Sequence, residues 1–188
     1  MKYLFIIVLL FYSTYSISQS SSFNIPKEYS LEAGYRHVFH VSQLTNKASN
    51  GYGVLFDYAW QLSGFNGTSP RSFISVPMGY TVHMPDNSLS VRTSMLNYGW
   101  TVRHELKKPS KWVPFVGYGL LLNNLRMDGT EGSLFGHQTQ FEFGYNLRTS
   151  GRIQYFAKIQ YSYTSYPRFN NPTRIRYHFA DLRVGVRY

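Results

Sequence analysis

The sequence predicts an all-β fold: an eight-stranded antiparallel up-and-down transmembrane β-barrel preceded by a signal peptide. Three observations predict it: eight long stretches of period-two hydrophobicity, a polar face built from small and amide residues, and aromatic rings gathered at the ends of the stretches. The composition agrees. The chain has 188 residues, 17 Tyr, 14 Phe, only 15% charged residues and a net charge of +10. Its low charge content and abundant rings oppose disorder. The lack of cysteine excludes disulfide scaffolds, thiolate zinc sites and cysteine nucleophiles.

The chain opens as an export signal. Met1-Lys2 precedes an apolar run from Leu4 to Phe11, then Ser16-Ile17-Ser18, the order of charged region, apolar region and small-x-small cleavage site. The run is too short for a membrane helix, which needs roughly 20 apolar residues. The expected division is a signal peptide over 1–18, a short lead over 19–30 and the barrel over 31–188. Loss of Lys2 takes the net charge from +10 to +9.

The period-two stretches run over 31–43, 51–62, 72–84, 90–105, 112–123, 134–147, 152–165 and 174–188. Soluble strands average about 5–6 residues, whereas a tilted strand crosses a bilayer in about 9–11. The second stretch places Tyr52, Val54, Phe56, Tyr58, Trp60 and Leu62 on one face and Gly51, Gly53, Asp57, Ala59 and Gln61 on the other. The seventh sets Ile153, Tyr155, Ala157, Ile159, Tyr161 and Tyr163 against Gln154, Lys158, Gln160, Ser162 and Thr164, and the third, fifth and eighth alternate likewise. The first, fourth and sixth are less regular, with His37, His137 and Thr139 on the apolar side.

A soluble sandwich also alternates, but its polar face meets bulk water and favours Lys and Glu over Gly. Here the polar face is small and amide-rich, and closure removes the exposed edges of strands this long. With both termini on the periplasmic side, Trp60, Trp100 and Trp112 fall toward the periplasmic rim with Tyr188, where interfacial rings belong. The connections over 43–50, 84–89, 123–133 and 167–173 are then extracellular. Asn66-Gly67-Thr68 and Asn123-Asn124-Leu125 read as turn residues.

The ending Asp181-Leu182-Arg183-Val184-Gly185-Val186-Arg187-Tyr188 resembles the C-terminal assembly signal of outer-membrane β-barrel proteins. Pro114-Phe115-Val116-Gly117-Tyr118-Gly119 is similar to a strand of small eight-stranded barrels of the OmpA/OmpX type. The resemblance implies residence in the outer membrane of a Gram-negative bacterium. It also implies insertion by the barrel assembly machinery and contact with outer-membrane lipid and lipopolysaccharide. It implies no single activity, because such barrels include anchors, adhesins and lipid A enzymes.

The inward phase collects Glu32, Asp57, Glu105, Glu142 and Asp181 with Arg36, Arg103, Lys158, Arg183 and Arg187. Eight strands leave an interior that side chains fill, so these residues are expected to form a paired polar network. The alternative is a small porin. The catalytic alternative is His40-Val41-Ser42, with His and Ser on one strand face beside Glu32. Lipid A 3-O-deacylases of the PagL type carry a His-x-Ser pair and a Glu as an acyl-transfer triad. In that family the pair lies near the chain's end and faces lipid, whereas His40 and Ser42 fall in the first stretch on the inward phase. The comparable late segment, Ile159-Gln160-Tyr161-Ser162 followed by Asn170-Asn171-Pro172, has Gln160 where a base is needed. A deacylase-like hydrolase, or its inactive relative, is the runner-up.

No metal site and no cofactor is expected: His37 and His40 are three apart, and His137 and His178 have no ligand-like neighbours. Lys107, Lys108 and Lys111 form a solvated turn. Arg92, Arg174 and Arg176, on the outward phase near the extracellular strand ends, join Lys47 and Arg168 in a candidate collar for lipopolysaccharide phosphates. An outward Arg is tolerable there at roughly 0–1 kcal/mol, against roughly 2–4 kcal/mol at the midplane. Bases dispersed over an exported barrel argue against nucleic acid as a partner. The expected function is a non-enzymatic outer-membrane barrel with a structural or surface-interaction role.

Overall fold

The computed structural model describes residues 26–42, 50–85, 92–129, 132–167 and 175–188, without the side chains of 40–42. Its strands are β1 (Lys27–Ser42), β2 (Gly51–Ser63), β3 (Ser72–His83), β4 (Thr93–Glu105), β5 (Trp112–Met127), β6 (Leu134–Arg148), β7 (Gln154–Tyr166) and β8 (Ile175–Arg187). Each pairs antiparallel with its sequence neighbours, and β1 closes on β8. The seam spans Ser30↔Arg187 to Ser42↔Arg176, with a register shift between Val38 and His40.

Three boundaries differ from the sequence expectation. β1 starts at Lys27, ahead of the expected barrel edge at 31, because Lys27 to Ser30 pair with Trp60 to Asp57 of β2. β5 continues to Met127, so Asn123-Asn124-Leu125 is strand and no turn. Asn123 is buried and hydrogen-bonded to Gln138, while Leu125 and Met127 pair with Met95 and Thr93. Among the described residues, β4 begins at Thr93. Asn66-Gly67-Thr68 does turn: Gly67 adopts φ 70°, and Asn66 Oδ1 accepts from Thr68 N and Ser69 Oγ. Residues 1–25, with the expected signal segment and most of the lead, lie outside the described residues.

The wall is apolar outward, with Leu31, Val54, Phe56, Met78, Leu120, Phe141, Ile159, Leu182 and Val184 exposed. The interior has two zones. At the end remote from the termini, here the far end, Met95, Leu125, Tyr166, Ile175, Tyr177 and Phe179 form a buried apolar cap, flanked by Val38, Met127 and Leu134. Toward the termini the interior is ionic and amide-filled. The inward phase is thus less uniformly polar than expected: Phe73, Phe115, Phe156 and Phe179 are all buried on it. Inward glycines make room for large partners. A Cβ on Gly185 meets Phe156 Cζ at 2.6 Å, and one on Gly136 meets the Tyr166 ring at 2.6 Å.

Candidate functional site: a filled lumen and two charged rims

Three layers of polar contact fill the lumen below the apolar cap. Nearest the termini, Glu28 meets Arg103 at 2.6 Å, Arg71 at 3.4 Å and Arg187 at 3.5 Å. Glu105 receives Arg71 in a two-pronged pair at 2.8 and 2.9 Å, and Arg148 Nη2 at 3.0 and 3.1 Å. Phe73 and Phe156 pack under these cations, with Arg103 4.2 Å from the Phe73 centroid and Arg187 4.5 Å from that of Phe156. Ring faces attract desolvated cations. Arg71 lies in the turn before β3. Burial alone would lower its pKa, but the Glu105 hydrogen bond and the charges of Glu28 and Glu105 raise it, so it stays cationic.

Above this layer Lys158 bridges Glu32 at 2.9 Å and Glu142 at 2.8 Å. A Cβ on Gly117 would meet Glu142 Oε1 at 2.6 Å, so glycine is what admits that carboxylate. Asp181 binds Arg36 at 2.8 Å and Arg183 at 3.3 Å. Arg36 also stacks 4.5 Å from the Phe179 centroid and reaches Met95 Sδ at 3.3 Å, joining the ionic zone to the cap. Beside these pairs Gln138, Gln140, Gln160, Ser162, Thr164 and Asn123 form an amide and hydroxyl network at 3.0–3.2 Å.

The expected inward residues Glu32, Arg36, Asp57, Arg103, Glu105, Glu142, Lys158, Asp181, Arg183 and Arg187 all lie in this lumen. Asp57 has one carboxylate oxygen without a protein partner and borders an internal cavity of about 10 Å³, room for about one water. Sequence reasoning missed Glu28, Arg71 and Arg148. Glu28 shares the parity of Glu32 and Arg36 and was legible by extending the first stretch backward. Arg71 and Arg148 sit at strand ends, where alternation fails.

The deacylase-like constellation does not assemble. Glu32 is eight residues from His40 along β1, about 26 Å at roughly 3.3 Å per residue, and its carboxylate is committed to Lys158. Beyond the register shift His40 pairs with His178 and Ser42 with Arg176. The phase that grouped His40 and Ser42 with Glu32 and Arg36 therefore does not run unbroken to them; their side chains lie outside the described residues. The late segment does not supply a lipid-facing substitute, because Gln160 and Ser162 are buried and bonded to each other at 3.0 Å. Among the described residues no cluster of His, Asp and Glu has metal-site geometry.

At the far rim Arg92 and Arg176 are exposed, as is Arg126, which the sequence reading overlooked by placing it in a loop. Lys47, Arg168 and Arg174 lie outside the described residues. At the rim bearing the termini Lys27, Lys107, Lys108, Lys111 and Arg152 are exposed, and the acids near this end, Glu28 and Glu105, are buried in the lumen.

No known family profile matches this chain, and no curated protein sequence matches it. Solved structures do. Neisserial surface protein A (NspA) is 16% identical, with 86% of this chain and 95% of that chain covered and a TM-score of 0.65. The outer membrane enzyme PagL is 14% identical, with 83% and 97% covered and a TM-score of 0.51. The N-terminal β-barrel domain of Pseudomonas aeruginosa OprF is 13% identical, with 86% and 97% covered and a TM-score of 0.50. Closed topology, a filled lumen, an apolar wall and these likenesses agree: the chain has the fold of the small eight-stranded outer-membrane β-barrel proteins.

Proposed function

We propose that this protein is a closed, non-enzymatic barrel of the Gram-negative outer membrane whose far rim faces outward and holds lipopolysaccharide. Exposed Arg92, Arg126 and Arg176 at that rim carry the reading. Among the described residues none of them has a carboxylate within ion-pair distance. Lipid A phosphates supply the counter-charge, and arginine matches them through its planar fork of donors. Lys47, Arg168 and Arg174 extend the collar in sequence. The packed lumen supports a non-conducting role, since its cavity takes about one water. The signal peptide over 1–18 directs export, and the last strand with Tyr188 after it is the segment that the assembly machinery engages.

The test is binding of lipopolysaccharide to the reconstituted barrel before and after Arg92→Gln, Arg126→Gln and Arg176→Gln together. Each Lys or Arg near a charged lipid surface contributes about 1 kcal/mol, so the triple variant should lose binding by more than tenfold while its unfolding midpoint stays unchanged. Unaltered binding refutes the collar.

A further inference from the structure

The outer wall near the termini carries a groove. Leu147, Tyr155, Val186 and Leu31 form one register row, and Phe143, Ile159, Leu182 and Tyr35 form a parallel row further up the strands. Between them lie Ala157, Val184 and Ala33, whose shorter side chains leave a hollow of about 610 Å³ bordered by Trp112, Tyr145 and Tyr155. A second hollow of about 540 Å³ shares Ala33, Val54 and Val184 and reaches Tyr35, Tyr52 and Tyr80.

Exposed cations stand at the strand ends beside this groove. Lys111 is tied to the neighbouring strand end by its carbonyl, which accepts from Arg148 N at 2.9 Å. In the next turn Arg152 donates to the Tyr188 hydroxyl at 2.9 Å. Both flank the Trp112, Leu147, Tyr155 and Val186 edge, and Lys27 stands beyond it on β1. The nearest acids, Glu32, Glu28 and Glu105, turn their carboxylates into the lumen and are paired there with Lys158, Arg103 and Arg71. The other acids outside the lumen, Asp86, Asp128 and Glu131, fall in sequence between strands at the far end. An apolar furrow beside exposed cations that, among the described residues, pair with no carboxylate fits a molecule with a hydrocarbon tail and an anionic head.

We propose that the groove binds one acyl chain of an anionic phospholipid, with its headgroup phosphate against Lys111 and Arg152. The proposal rests on the bilayer-spanning reading above, and concerns the opposite rim from the lipopolysaccharide collar. Aromatic walls suit the interface, where an apolar ring and a polar edge are both satisfied.

Trp112 lines the groove and reports on it. With Trp60→Phe and Trp100→Phe leaving Trp112 as sole tryptophan, the barrel is reconstituted in vesicles mixing anionic and zwitterionic phospholipid, bromine being carried on the acyl chain of one or the other. Bromine on the anionic lipid should quench Trp112 with a preference of about fivefold or more over the zwitterionic lipid, the effect of one surface cation. Lys111→Gln with Arg152→Gln should abolish the preference, as should Ala33→Leu with Ala157→Leu, which fills the groove and keeps the cations. Circular dichroism and protease resistance check that each variant is folded. Equal quenching by both lipids overturns the proposal. A preference that survives the Leu pair reduces it to diffuse attraction and overturns the groove. Shielding of Trp112 from both lipids, with cross-linked dimers, assigns the groove to a second copy and also overturns it. If neither lipid quenches Trp112 and no dimer forms, the bilayer reading itself fails and takes this proposal with it.

Discussion

Arg36 Nε lies 2.8 Å from Asp181 Oδ1, with both side chains 1% exposed and the two residues 145 positions apart in the chain. The pair ties β1 to β8 from inside the barrel. Asp181→Ala leaves Arg36 and Arg183 facing each other without their shared carboxylate. Breaking a buried pair from one side costs about 3–5 kcal/mol. The expected outcome is a loss of that order in reversible unfolding by urea in lipid vesicles.

Gly99 lies where a side chain has no room. A Cβ there would meet Leu121 Cα at 2.6 Å as well as the Leu120 carbonyl oxygen. Backbone atoms in a paired strand cannot yield as a side-chain tip can. Gly99→Ala should therefore lower the unfolding midpoint more than Gly117→Ala, where the added carbon meets only side-chain atoms of Glu142. Parallel denaturant titrations give the order.

The lumen should be electrically silent. The wild-type barrel in planar bilayers is expected to pass no resolved current. Tyr166→Ala with Tyr177→Ala, which opens the apolar cap, should pass none either, because the Glu28, Arg71, Arg103 and Glu105 layer lies beneath it. Stable conductance steps from wild type would establish the porin reading instead.

Ser42→Ala should leave lipid A untouched. Mass spectrometry of lipid A from cells expressing wild type, Ser42→Ala or neither should give one acylation pattern. A shortened pattern with wild type alone would restore the deacylase reading, with a base other than Glu32.

Much of this architecture was legible because a membrane strand obeys two constraints at once, alternation and length. Tyr52 to Leu62 and Ala180 to Arg187 lie in strands of the barrel and follow both. Where a constraint lapsed, the reading lapsed with it. Glu28 lies ahead of Leu31, where the regular alternation of the first stretch begins. Asn123 looked like a turn because asparagine favours turns, yet a filled barrel interior wants amides, and Gln138 was there to receive it. The apolar cap was hidden because Tyr177 and Phe179 share parity with Asp181 and Arg183; which zone of the interior a residue reaches depends on its height, and alternation is blind to height. The register shift after Val38 likewise leaves no mark in the hydrophobic pattern.

The carboxylate of Glu28 draws its three cations from the turn before β3, from β4 and from β8. Arg71 and Arg103 precede β5 in the chain, and Arg187 is the partner that the final strand delivers where it pairs with the first. Until that pairing forms, Arg187 and Asp181 on β8 lack their partners Glu28 and Arg36 on β1, and each is a charge that needs water. The last thirteen-residue strand therefore both shuts the cylinder and pairs these charges across its interior, so closure and charge pairing are one step.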